Sequence, residues 1–392
     1  MRGLVLMTLG VFLALSGAIG WIVWHGQPRP APPAIATQIG GTRLPDAESW
    51  NALNASAAAG DARAMNDLGV VLWRTPGKDN AAQAKAQFEK AARLGHIQAR
   101  YNLSVMVPNR RDTPPETVAR MITMLRDNVA LGDVPSMVRL ANWLDRPHAA
   151  TLVSDHAALR RDLLRQAART NDADYLLILG RHLWDEVRDQ QSAALLPEAL
   201  SALRLADTAG NVDAAESLGR VLADSDPDHE AAIADSGIDP DPLVWFAKAA
   251  DAGSVTARCA YGLLVYRPVQ GAIFSAGRST PQTALALVRA RHSAAVQARA
   301  QAELETCGQA TGLPRRENLP FGSRDVYAIK PRAPRAALGD EPGRANLVLG
   351  ALHGFGLGVP RDAARARQYL QNADGSQIAG RANALLGEFQ SH

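Results

Sequence analysis

The chain has 392 residues and a formal net charge of +3, its 42 Lys and Arg offset by 39 Asp and Glu spread along the whole length. Charge so evenly balanced leaves no basic footprint for a nucleic acid, and none is expected as a partner. Aromatic residues make up only 5% while apolar residues reach 47%, so the apolar share is largely Ala and Leu, which suits closely packed helices and argues against a sheet protein.

Residues 3–24, GLVLMTLGVFLALSGAIGWIVW, carry no charge, and a helix of that length spans roughly 33 Å, about the hydrocarbon thickness of a bilayer. One transmembrane helix is therefore expected here. Arg2 and the terminal amine are the only charges before it, so the positive-inside bias puts the N-terminus in the cytoplasm and the bulk of the chain on the far side. The expected location is the bacterial inner membrane, single-pass, with a periplasmic body. A cleaved signal peptide is the competing reading, with Ser16 and Ala18, Ala18 and Gly20, or Ala34 and Ala36 as processing sites. The length of the apolar run and the interfacial pair Trp21 and Trp24 favour a retained anchor. Residues 25–44 hold QPRPAPP and a Gly-Gly pair, an extended spacer that cannot join a helix bundle. The folded body begins near Pro45, where Asp46 and Glu48 mark a first helical turn.

From there to residue 270 the chain repeats itself. Gly60, Ala64 and Leu68 recur as Gly95, Ala99 and Leu103, all offset by 35 residues, the signature of a stacked repeat. In the first unit, helix A runs from about Asp61 to Trp73 with Ala64, Leu68, Val71 and Leu72 on one stripe. Helix B follows Asp79, buries Ala84, Phe88, Ala91 and Ala92, and ends at Gly95. Gly69, in the interior of helix A, costs about 1 kcal/mol there unless it lets a large residue of helix B come close. The same marks follow at Gly132 with Leu140-Ala141, Asn171 with Leu179-Gly180, Gly210 with Leu218-Gly219, and Gly253 with Tyr261-Gly262. Residues 339–392 hold a last copy that begins near Gly343 and continues through Ala345, Leu349-Gly350 and a glycine turn, Gly354 to Asp362, to Ala366, Tyr369 and Ala373.

These residues resemble the Sel-one-like repeats, the alanine- and glycine-rich relatives of tetratricopeptide repeats. The final unit is the most specific match, with A-x-x-x-L-G, then G-V-x-x-D, then A-x-x-Y; the first unit and Trp245 to Gly262 follow closely, and residues 95–230 match at the helix A marks. The resemblance implies an all-α, right-handed α-solenoid of antiparallel helix pairs whose concave face binds other proteins, with no catalytic residues and no cofactor.

Two stretches break the pattern. Residues 224–241 lengthen one inter-helix loop with many acids. Asp224, Asp226 and Asp228 echo a calcium loop, but His229 stands where the sharp turn needs Gly and Asp235 where the last ligand is Glu, so a solvated loop is expected. Residues 271–338 are read as an insertion, with one long helix from Thr280 to Glu305 and then a Pro-rich segment carrying Arg315, Arg316, Arg324, Lys330 and Arg332, the candidate partner contacts. The chain's two cysteines, Cys259 and Cys307, permit one disulfide in an oxidising compartment; Cys259 falls at a buried helix A position where a free thiol also packs well, and both states stay open. No metal site is expected, since the histidines lack H-E-x-x-H spacing. His96 stands where Asp61 and Asn211 stand in sister units, a turn role.

Together these features predict a membrane-anchored periplasmic scaffold that binds protein partners of an envelope or secretion assembly, not an enzyme. The alternative is a wall-acting or glycan-binding protein with its site in 271–338. Proteins with such repeats that bind wall-derived or antibiotic-like ligands do so with cysteine-paired repeats, which this chain is expected to lack. Glu303 and Glu305, the one carboxylate pair in view, are two residues apart and so face different sides of a helix.

Overall fold

The computed structural model describes residues 47–75, 77, 79–107, 112–190, 193–274, 280–310, 339–373 and 376–390. The predicted anchor 3–24 and spacer 25–44 lie outside these residues, as do Arg315, Arg316, Arg324, Lys330 and Arg332. Among the described residues every regular element is helical, and no helix is long and apolar enough to cross a membrane. The chain divides into two compact units, one through Ala99 and one from Arg100.

In the first unit, α1 (Ala47–Ala58) packs on α2 (Ala62–Arg74), which packs on α3 (Asn80–Arg93); α4 (Ile97–Met106) begins here. Helix α2 buries Ala64, Leu68, Val71 and Leu72, and α3 buries Ala84, Phe88 and Ala91. Burying Phe88 completely contributes about 2–3 kcal/mol, and Gly69 makes it possible: a Cβ there would lie 2.7 Å from Phe88 Cε1. The missing side chain lets the two helices approach.

The second unit repeats that arrangement. It contains the rest of α4, then α5 (Pro115–Ala130), α6 (Val134–Leu144), the single turn α7 (Ala149–Leu152), α8 (His156–Ala168), α9 (Ala173–Gln190), α10 (Leu196–Thr208), α11 (Val212–Ala223), the short α12 (Glu230–Asp235), and α13 (Pro242–Asp251). It continues with α14 (Val255–Val265), α15 (Arg267–Phe274), α16 (Pro281–Arg291), α17 (Ala294–Gly308), α18 (Glu341–Phe355), α19 (Ala363–Gln371) and α20 (Ser376–Gln390). The pairs α6–α8, α9–α10, α11–α13, α14–α17 and α18–α19 are helix A and helix B of successive repeats, and each helix B also packs on the next helix A. Four of these pairs close on the same contact as the first unit: a Cβ at Gly180 would meet Leu203, at Gly219 Phe246, at Gly262 Leu304 and at Gly350 Leu370, each within 2.8 Å.

The repeat starts have a backbone cause. Gly60, Gly95, Gly132, Gly210 and Gly253 lie at φ between 81° and 95°, and Asn171 at 55°. Left-handed backbone is open to Gly at no steric cost and tolerable for Asn. At Gly253 the amide donates to Ala250 O at 2.9 Å and the Ser254 amide to Ala249 O at 2.9 Å, the bonding that ends a helix with a left-handed residue. The next residue then caps the following helix: Asp61, Asp133, Asn211 and Ser254 each accept from amides of the first turn.

Three expectations need correction. The single helix from Thr280 to Glu305 is two helices, because His292 is extended (φ −130°, ψ 138°) and the Ser293 hydroxyl accepts from the Val296 amide to start a new one. The second of them, α17, packs on α14 as a repeat helix B, so the boundary drawn at 271–338 cuts through a repeat and the element inserted between α14 and α17 is the α15–α16 hairpin. Residues 224–241 are more than a solvated loop: they form a 3₁₀ turn, Pro227–His229, and α12, burying Ile233 and Ile238. His229 sits edge-on to Trp184 with ring centroids 6.0 Å apart, and its Nδ1 accepts from the Asp226 amide at 3.2 Å. Gly343 is a third case, lying buried inside α18 instead of at a turn.

Candidate functional site

Two features of the second unit gather polar side chains on its helices. The first is a set of side chains tying α4 to α6, α9 through α11 to α14, and α14 to its helix B. The Arg139 guanidinium of α6 donates to the Ser104 hydroxyl (3.3 Å) and carbonyl on α4 and lies 5.7 Å from the Trp143 ring centroid. No carboxylate faces it closely, and burial lowers its pKa to about 10. On α9, Arg181 donates through Nε to Ser217 Oγ of α11 at 2.8 Å. Glu216, nearly buried, accepts from Ser254 Oγ at 2.7 Å and Thr256 Oγ1 at 2.5 Å, while Arg220 donates to its other oxygen at 3.0 Å. Buried charge of this kind is tolerated because its hydrogen bonds are satisfied. On α14, Arg258 pairs with Glu303 at 3.1 Å.

The second feature is a cavity of about 500 Å³ where α7 interrupts the repeat. Its walls come from the α6–α7 connection (Asp145, Arg146), from α8 (His156, Arg160) and from α9 (His182, Asp185, Glu186, Arg188, Asp189). Arg160 Nη1 donates to Asp145 at 2.5 Å and Arg161 Nη1 to Glu186 at 2.6 Å. Arg188 holds both Asp185 and Asp189, each at 3.1 Å. His182 is 5% exposed; its Nε2 lies 3.1 Å from Glu186 Oε1 but outside hydrogen-bond geometry. Burial, then the charges of Arg160 and Arg161, lower its pKa to about 3, so the imidazole is neutral.

Cys259 and Cys307 are joined, with S–S 2.09 Å and Cα–Cα 5.1 Å. The bridge ties helix A to helix B of one repeat, so the expectation of no cysteine-paired repeat is corrected. Cys307 occupies the helix B position held by Ala91, Ala167, Ala206 and Ala249 elsewhere, all fully buried. Glu303 and Glu305 do not converge: Glu303 is held by Arg258 and Glu305 by Arg365 at 3.2 Å. Among the described residues no cluster of His, Cys, Asp or Glu is arranged to hold a metal. His96 caps α4 through Nδ1, which accepts from the Ala99 amide at 3.2 Å. The cavity escaped the sequence, although His182, Asp185, Glu186 and Asp189 have the i, i+3, i+4, i+7 spacing of one helix face.

Among the described residues the fold is all-α and built of repeated helix pairs within each unit. No family model matches the chain, and no curated protein matches it. Among solved structures it is similar to a protective antigen of uropathogenic Escherichia coli strains that displays an SLR fold, with TM-score 0.43 and 16% identity over 89% of this chain and 73% of that one. It is also similar to a Sel1 repeat protein from Oxalobacter formigenes, at TM-score 0.39 and 16% identity over 88% of this chain and 91% of that one. A third similarity, to an immunity protein from Pseudomonas aeruginosa, has TM-score 0.31 and 19% identity over 52% of this chain and 73% of that one.

Proposed function

We propose that the chain is a membrane-anchored periplasmic scaffold of the bacterial envelope, holding a protein partner along its successive helices A. The observation that carries this is the set of hydrogen-bonded polar side chains on helices A, Arg139 bonded to α4 and Arg181 and Glu216 linking α9, α11 and α14, which gives several repeats polar groups on the same helix of the pair. Solenoids use such extended surfaces to bind extended partners, since each repeat contacts only its neighbours and the array offers many small contacts in line. The bridged Cys259 and Cys307 support a location outside the reducing cytoplasm. Residues 3–24 supply the anchor and the basic segment with Arg315, Arg316, Arg324, Lys330 and Arg332 an additional contact.

Crosslinking in native membranes tests the partner, and thiol trapping of the cellular protein tests the compartment. A specific crosslinked protein that is lost with Arg181→Glu supports the proposal, as does a bridge present before lysis. Background crosslinks alone, or two free thiols in the cell, would sink it.

A further inference from the structure

Several arginines on the helices A of the second unit come with a carboxylate. Arg188 on α9 holds Asp185 and Asp189, each at 3.1 Å, Arg220 on α11 holds Glu216 at 3.0 Å, and Arg258 on α14 holds Glu303 at 3.1 Å. Arg139 on α6 departs from this pattern. Its guanidinium is fixed by Ser104 on α4, Nε donating to the hydroxyl at 3.3 Å and Nη2 to the carbonyl, and it stands over Trp143, 5.7 Å from the ring centroid. Both acceptors are uncharged, so among the described residues the positive charge stays uncancelled. At neutral pH the charge that acts on it is Arg146, of the same sign. Ser104 takes two of the five N–H groups of the fork, which leaves both of Nη1 and one of Nη2, and the residue is part-exposed.

We propose that Arg139 anchors a carboxylate of an acidic segment in the protein partner, which rests on the scaffold role and adds the chemistry that the partner carries. The Ser104 contacts hold the fork in one orientation before anything binds, and its edge between Nη1 and Nη2 matches a carboxylate, which accepts two parallel N–H bonds. Tying α4 to α6 does not by itself account for the arginine, since a desolvated charge is destabilising unless a counter-charge meets it. The surroundings that lower the pKa of Arg139 also keep water from screening its field, so a carboxylate arriving there is held more strongly than at an exposed arginine. A nucleic acid does not fit, because this guanidinium has no basic track around it for successive phosphates. A small free anion fits poorly, since Arg139 lies outside the cavity beside α7 and a single open contact holds an ion weakly. An acidic peptide brings the flanking contacts that a free anion lacks.

Fluorescence anisotropy of the full chain in detergent tests this with two peptides, one alternating glutamate with proline and one with glutamine in place of each glutamate. The glutamate peptide should bind saturably and roughly 10-fold more tightly than the glutamine peptide, the effect of one charge-assisted contact. Arg139→Gln should abolish that preference and leave binding of the glutamine peptide as it was, in a chain that still melts cooperatively. Arg139→Lys keeps the charge and gives up the fixed fork, so it should retain only part of the preference. Arg344→Gln, at an exposed arginine of α18, should change nothing. Equal binding of the two peptides, or no saturable binding of either, would overturn the proposal, as would an Arg139→Lys variant with no loss or an Arg139→Gln variant that folds and keeps the preference. The peptides read Arg139 without the cellular partner, so the scaffold reading fails separately, on background crosslinks in native membranes. A specific crosslink that survives Arg139→Gln overturns the anchor and leaves the scaffold reading standing.

Discussion

Replacing Cys307 by Ala isolates what the cross-link contributes, because Ala is the residue that sister helices carry at the same fully buried register. The substitution therefore opens little cavity and removes mainly a constraint on the unfolded chain. For bridged residues 48 apart in sequence, the loop-entropy relation gives a loss of about 4 kcal/mol. The loss should also be local, since each repeat is stabilised only by itself and its neighbours. Hydrogen exchange on the intact and substituted chains reads both quantities. Protection should fall in α14 and α17, and in the α15–α16 hairpin that the bridge encloses, while α9 and α10 keep theirs. In guanidinium the denaturant slope should rise, as an uncrosslinked unfolded chain exposes more surface. A loss below about 1 kcal/mol, or one spread evenly over all repeats, would refute the loop-entropy account.

The repeat was legible wherever a local rule forces a residue type. Left-handed backbone demands Gly or Asn at Gly60, Gly95, Gly132, Asn171, Gly210 and Gly253, and the next residue must cap a helix; both rules act within a few residues and leave their mark in sequence. Gly69 and its counterparts were legible for a different reason, since a helix-interior Gly is unfavourable unless packing needs it. Helix α17 was missed because two things hid it. The α15–α16 hairpin separates it from its partner α14, and its final small residue is Cys307 in place of Ala. Spacing rules assume neighbours in sequence pair in space, and here a hairpin intervenes. The cavity is a harder case. One wall is written on α9 at helical spacing, but Arg146, His156 and Arg160 join it from other elements, a juxtaposition that exists only in the fold.

The buried Asp67 carboxyl gives a pH test. Burial raises its pKa to about 6 despite a hydrogen bond from Asn66. A carboxyl whose folded pKa exceeds its unfolded value of roughly 3.9 stabilises the fold below that value, and the contribution is lost as pH rises through about 6. Asp67→Asn should thus stabilise the first unit at pH 7.5 by up to about 3 kcal/mol and leave it unchanged near pH 3.5, read by urea melts at both values. His96 has the opposite sense. Burial and then Arg63 lower its pKa, so its cap on α4 is in place above the unfolded pKa of roughly 6.5 and is lost as pH falls through the folded value. His96→Asp should flatten that acid-side loss by about 1 kcal/mol, the usual worth of an N-cap; an unchanged acid branch would exclude the imidazole as its source. The last test joins Gly262 to the bridge. Cys259 and Gly262 are one turn apart on α14, as Leu304 and Cys307 are on α17, so the glycine contact and the disulfide share one face of each helix. A Cβ at Gly262 would lie 2.5 Å from Leu304 Cγ and 2.9 Å from the Ala300 carbonyl oxygen. The side chain can turn aside but the backbone oxygen cannot, so Gly262→Ala gains about 1 kcal/mol of helix propensity and loses more to overpacking, for a net cost of about 1–2 kcal/mol. With the bridge intact the helices cannot separate to relieve the clash; without it they can. In a double-mutant cycle the Gly262→Ala cost should therefore shrink by about 1 kcal/mol in the Cys307→Ala background. Strict additivity would mean that the close approach of α14 and α17 is set by Leu304 packing alone, with the bridge merely spanning a gap that is already closed.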